Sequence, residues 1–193
     1  PYIFSRINKQ IQNRTVLAAM TNKQSFENGV ISDDEIKWLL ERAKGGFGII
    51  TTAATNVSKE AKAWIEEFGV YDDSHIPCLR KLTSVIHQTK SLVIAQLFHG
   101  GMKSPQKITG FIPISASELN CKESESGKSK KASGKDIKKI INDFTTSAIR
   151  CYQAGFDGIE LHAAHGYLIS QFLGKKTNLR NDDWGGNLKK RSR

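Results

Sequence analysis

Cysteine is scarce and scattered: Cys78, Cys121 and Cys151 stand far apart, with no C-x-x-C pair among them. That spacing excludes a disulfide framework and a cysteine zinc site, and it leaves ordinary reduced thiols. Long apolar runs are also missing. No stretch approaches the roughly 18–20 residues needed to cross a bilayer, and the opening Pro1-Tyr2-Ile3-Phe4 lacks the basic-then-apolar order of a signal peptide. The expectation is a cytoplasmic chain with no membrane partner. No G-x-G-x-x-G follows the first apolar run, so the dinucleotide-binding version of a doubly wound fold loses its main support.

What is present is an ordinary globular composition, 193 residues and 38% apolar, enough to bury a sizeable core. The formal charge is +10. Such an excess draws phosphates and nucleic acid, but here it is concentrated in two stretches. Lys122 to Lys139 holds seven lysines against three acids, and Lys175 to Arg193 seven basic residues against two acids. Aromatic side chains do not interleave with the lysines as a single-strand stacking platform requires. The stretches read as solvated segments, and no nucleic-acid partner is expected.

Along the chain, strand and helix signals alternate. Thr15 to Met20 is a short apolar run, and Ser32-Asp-Asp-Glu is a helix-cap signature leading into Ile36 to Lys44. Gly48 to Ala54 reads as the next strand, followed by a helix with apolar positions at Ile76, Leu79, Leu82, Val85 and Ile86. Ser91 to Phe98 is a third strand. A long polar segment, Gly100 to Ser133, separates it from a helix over Gly134 to Ala154; a structureless loop of that length is unusual in a compact domain and marks function or mobility. Gly158 to His162 is a fourth strand, and Tyr167 to Leu173 a short helix. Alternation of this kind predicts an α/β fold with a parallel sheet, and a (β/α)8 barrel is favoured over a doubly wound sheet. A complete barrel takes about 250 residues, so residues 1–193 would supply only about its first four β/α units, the N-terminal half of a single TIM-barrel domain.

Side chains alternate along a strand, so Ile159 and Leu161 should face the covering helices while Glu160 and His162 point into the barrel. His162 then sits at the C-terminal end of its strand, where barrel enzymes keep their active sites. His165 falls on the same side if the chain turns after His162. The spacing alone leaves three readings open: a metal pair, two hydrogen-bond donors to a substrate carbonyl, or two structural histidines; no third ligand stands nearby to favour the metal. His99-Gly100-Gly101 has the glycines of a phosphate cradle but lacks the Lys-Ser or Lys-Thr that would follow.

The segment Gly155 to Leu173 (GFDGIELHAAHGYLISQFL), followed by Asn178 to Gly186 (NLRNDDWGG), resembles the signature of the Old Yellow Enzyme family of flavin oxidoreductases. The resemblance extends to Asn13-Arg14 with Ala19-Met20-Thr21, to the strand ending at Ala54, and to Ala95 to Gly101 (AQLFHGG). It implies an FMN-containing (β/α)8 barrel that takes electrons from NADH or NADPH. It further implies that Ala19, Met20, Thr21 and Ala54 lie against the flavin ring and that Gln96 hydrogen-bonds its pyrimidine edge. His162 and His165 resemble the pair that binds the carbonyl oxygen of an unsaturated substrate, and Tyr167 resembles the proton donor. The implied partner is a small unsaturated carbonyl compound, with no metal ion; a homo-oligomer is among the assemblies the reading allows. Departures are Ala19 where the family commonly has Pro, Met102 where an Arg often stands, and Asn187 with Lys189-Lys190-Arg191 in place of a Ser and an acidic-Asn-Arg stretch. A flavin reductase of dienoyl thioesters that also carries an iron-sulfur cluster shares this N-terminal pattern and is the alternative; a non-catalytic half barrel is another.

Overall fold

A computed structural model describes residues 1–193. The chain opens with an antiparallel hairpin, β1 (Tyr2–Phe4) and β2 (Lys9–Ile11). Next come β3 (Val16–Leu17), α1 (Asp33–Lys44), β4 (Ile49–Asn56), α2 (Ile76–His87) and β5 (Leu92–Phe98). The remainder holds α3 (Gln106–Thr109), β6 (Ile114–Ser115), β7 (Lys130–Lys131), α4 (Gly134–Gln153), β8 (Gly158–Leu161), α5 (Leu168–Leu173) and α6 (Leu188–Arg191). Strands β3, β4, β5 and β8 form one parallel sheet in that order, with helices as crossovers. This is the expected partial barrel, and all C-terminal strand ends lie on one side.

Local signals set these elements. Ser32 accepts the Glu35 amide at the start of α1, whose first turn holds Asp33, Asp34 and Glu35 and whose last holds Arg42 and Lys44, so charge complements the helix dipole at both ends. Ser133 and Asp136 form a reciprocal capping box on α4. Every residue of β4 is buried, as befits a central parallel strand covered on both faces. The main core lies between the sheet and the helices α1, α2 and α4, around Leu39, Ile50, Leu79, Leu82, Ile86, Val93 and Leu97. A smaller cluster of Ile11, Ile49 and Leu92 closes the opposite, N-terminal end of the strands beneath the opening hairpin. Asp157 ties that end together: it accepts from the Val93 amide at 2.9 Å, His87 Nε2 at 2.8 Å and Lys9 Nζ at 3.0 Å.

Two expectations need correction. Ile159 and Leu161 do share a face with the apolar side of α4, but they remain 41% and 52% exposed. β8 is the edge of this sheet; α4 packs on both β5 and β8, but no further strand pairs with the outer flank of β8. The segment from Gly100 to Ser133 is also not a structureless loop. It contains α3, and β6 pairs in parallel with β7. Its packing centre is small, Ala116 and Ala132 at 0% exposure, and the Arg180 guanidinium donates to both of their carbonyls at 2.8 and 2.7 Å. A single planar cation with several donors thus replaces the apolar core that the segment's composition cannot supply.

Candidate active site

The barrel mouth is built from the ends of the four parallel strands. Between Thr51 and Ala54 the β4–β5 register shifts, and Thr52 Oγ1 turns to accept the Gln96 amide at 3.1 Å. The irregularity re-aims the end of β4 next to the site, a common use of bulges. Beyond it Ala54 pairs with Gln96, and Gln96 with Glu160, so the three stand side by side across β4, β5 and β8. The Gln96 amide donates to the Glu160 carboxylate. Ala19, Met20 and Thr21 follow β3 at the same end; Ala19 is half-buried, and Met20, at 48% exposure, and Thr21 are open to solvent.

His162 continues the β8 ladder, its amide bonding the Leu97 carbonyl at 3.0 Å, and it is buried. The chain then turns through two consecutive left-handed residues, His165 (φ 56°) and Gly166 (φ 71°). This turn folds the later residues back over the strand end. The His162 ring lies 5.1 Å from that of His165 and 4.9 Å from that of Tyr167, centroid to centroid. All three sequence-singled residues are therefore one cluster at the C-terminal end of β8. Their mutual geometry differs from a pair converging on a shared acceptor, because the histidines bond each other: His162 Nε2 lies 3.3 Å from His165 Nδ1. His162 Nδ1 accepts the Ala164 amide at 3.3 Å, so a neutral His162 carries its proton on Nε2 and passes it toward His165. Burial, reinforced by the neighbouring His165, holds the His162 pKa below the ordinary imidazole value, against a smaller pull from Glu160. The ring is a neutral donor.

Tyr167 packs edge-on against Phe98 at 4.5 Å, and Phe98 stacks on Trp64 at 5.4 Å. Burial and then Glu67 raise the phenol pKa above its ordinary value. Glu67 is itself buried and accepts the Ala63 amide at 2.9 Å and the Trp64 amide at 3.3 Å, and desolvation pushes its pKa well above the carboxylate range.

The glycines after His99 are not a phosphate cradle. A Cβ on Gly101 would come within 2.5 Å of Gln171 Oε1, and Gly101 has φ 65°, so the glycine serves close packing against that side chain. Gln171 accepts the Met102 amide at 3.2 Å and donates to the Gly166 carbonyl at 2.7 Å, joining the loop after β5 to the turn that carries the histidines. Sequence reasoning missed Trp64, Glu67, Lys103 and Gln171. Gln171 lay inside the recognised motif, whereas Trp64 and Glu67 carried no periodic or spacing signal.

The chain is a parallel partial barrel with two imidazoles and a phenol clustered at its C-terminal strand ends, the arrangement of the Old Yellow Enzyme class. The model of the NADH:flavin oxidoreductase / NADH oxidase family matches residues 4–193, and the chain belongs to that family. Its members use FMN, with NADH or NADPH as reductant. The probable NADH-dependent flavin oxidoreductase YqiG of Bacillus subtilis is 36% identical over 183 residues, covering 94% of this chain and 48% of that protein. A 2-naphthoyl-CoA reductase in complex with 2-naphthoyl-CoA superposes with a TM-score of 0.90 at 29% identity, covering 95% of this chain and 30% of that one. An old yellow enzyme homologue from Zymomonas mobilis gives 0.87 at 28% identity, covering 94% and 53%. The chain thus spans about half the length of the curated relatives it matches.

The residues present fit a flavin ring. An amide with both donor and acceptor (Gln96), the small Ala54 paired beside it, and the exposed Thr21 hydroxyl in the segment after β3 suit a flat heterocycle with alternating polar edges.

Proposed function

We propose that residues 1–193 are the N-terminal, substrate-activating half of a flavin-binding barrel domain. In our reading its enzyme reduces the activated C=C bond of an α,β-unsaturated carbonyl compound. The observation that carries this is the cluster of His162, His165 and Tyr167 at the end of β8, on the side where Gln96, Ala54 and Ala19 to Thr21 would hold the ring. FMN, when bound, supplies the hydride it has taken from NADH or NADPH.

Hydride addition to the β-carbon builds enolate charge on the carbonyl oxygen. Neutral donors fixed beforehand stabilise that charge more than they stabilise the ground state. The backbone amide of Ala164 fixes the His162 tautomer, and an oxygen entering between the rings would receive His162 Nε2–H in place of His165 Nδ1. His165, exposed and held at a left-handed turn, supplies the second donor. Tyr167 gives its proton to the α-carbon as general acid. The iron-sulfur alternative is not favoured, since the similar curated proteins are named as NADH- or NADPH-dependent flavin oxidoreductases and 12-oxophytodienoate reductases.

The test is an anaerobic reaction of the reduced enzyme with 2-cyclohexenone. His162→Gln together with His165→Gln should slow reoxidation of the flavin by about 10²–10³-fold, the usual cost of losing oxyanion donors. Undiminished reoxidation in that variant would sink the carbonyl-binding role.

A further inference from the structure

The turn that presents the catalytic cluster is strained, and something must hold it. His165 is a non-glycine residue at φ 56° directly before Gly166 at φ 71°. A left-handed residue with a side chain persists only where its surroundings fix it. Contacts from three directions do so. Leu168 donates its amide to the His99 carbonyl at 3.0 Å, Gln171 Nε2 donates to the Gly166 carbonyl at 2.7 Å, and Lys103 Nζ donates to the His165 carbonyl at 2.6 Å. The same ammonium stands 5.2 Å from the centre of the Tyr167 ring. Lys103 makes no ion pair with any carboxylate, so its charge is anchored on a neutral carbonyl and left unneutralised.

No other lysine or arginine faces Tyr167. Glu67, from the loop after β4, is an acid that disfavours the phenolate, and burial disfavours the cation of His162 on the phenol's own turn. His165 lies on that turn as well, with its ring 6.3 Å away. Trp64 and Phe98 complete the surroundings and are uncharged.

We propose that Lys103 is a positioning residue for Tyr167: it pins the left-handed His165 turn and sets a cation against the phenol to offset the phenolate left after proton donation. The step is balanced. The Tyr167 O–H bond breaks with its electron pair kept on oxygen, the enolate's carbon supplies the pair for the new C–H bond, and water later returns a proton to the phenolate. The catalytic part of this inference rests on the proton-donor reading of Tyr167 given above.

The enzyme is labelled with ring-13Cζ tyrosine, Y167F assigns the signal, and the phenol is titrated in K103M and K103R. Arginine serves as the charged reference because a guanidinium keeps its charge throughout the range in which phenols titrate. The Tyr167 midpoint should lie about half to one pH unit higher in K103M than in K103R, the size expected of one partly solvated charge at this range. Reoxidation of reduced flavin by 2-cyclohexenone should fall severalfold in K103M and recover in K103R. Equal midpoints in the two variants overturn the proposal. Undiminished reoxidation in Y167F overturns the donor reading, and the catalytic part with it, whereas the midpoint difference then still establishes the electrostatic coupling.

Discussion

His99 offers a direct measure of how the glycine loop beneath the site is held. Its side chain is 2% exposed, Nδ1 accepts the Gly101 amide at 3.0 Å, and Nε2 has no partner. Burial, helped by Lys139, pushes its pKa down to about 3. In the unfolded chain an imidazole titrates near 6.5, so as pH falls below about 6.5 only the unfolded state gains the proton. A depressed pKa therefore contributes stability that is present above about pH 6.5 and lost as pH falls toward 3. Between pH 8 and pH 5 the unfolded imidazole takes up its proton by about 1.5 logarithmic units while the folded one stays neutral. At about 1.36 kcal/mol per unit the loss is about 2 kcal/mol. His99→Asn keeps an acceptor for the Gly101 amide and cannot titrate. Urea unfolding followed by tryptophan fluorescence at both pH values, for wild type and variant, isolates the term, because every other group is common to both. Wild type should lose about 2 kcal/mol more than H99N. Equal losses would refute a neutral buried His99.

Tyr167→Phe should slow flavin reoxidation by an enone far more than flavin reduction by nicotinamide in stopped-flow half-reactions, since only the former delivers a proton to carbon; equal slowing would assign Tyr167 to flavin positioning. Glu35 is 1% exposed, its pKa is raised to about 7 by burial against a weaker pull from the Ser25 hydroxyl that donates to it, and a raised carboxyl costs stability as pH climbs from about 4.3 through 7. Glu35→Gln should therefore gain up to about 3 kcal/mol on wild type between pH 4 and pH 8 in chemical denaturation, and a pH-independent difference would contradict it. Arg180→Met strips the Ala116 and Ala132 carbonyls of their donor and should cost about 3 kcal/mol or more, read as a lowered urea midpoint; a neutral effect would show that water replaces the guanidinium. Residues 1–193 alone should bind FMN weakly in a fluorescence-quenching titration, because barrel phosphate sites are typically built by loops after the seventh and eighth strands; stoichiometric micromolar binding would overturn this.

The sequence by itself determined the elements and their class. Ser32 and Ser133 caps, the apolar spacing of α2, and the near-continuous apolar β4 and β5 are local signals, and each element formed within a few residues of its expected bounds. The alternation of strand and helix then predicted a parallel sheet; strand alternation at the end of β8 pointed to His162 and His165, and the family resemblance of that segment added Tyr167. Only the tertiary structure decided how those groups meet. Whether the two imidazoles share an acceptor or bond each other depends on a turn whose left-handed residues are held by Lys103 and Gln171, and Lys103 lies on a different strand's loop. The order carried by Gly100 to Ser133 depends on Arg180, distant in sequence from the carbonyls it binds. The exposure of Ile159 and Leu161 depends on which strand became the sheet edge. Periodicity reports the burial a segment prefers; the partner that satisfies it comes from elsewhere in the chain, and local patterns carry no record of that pairing.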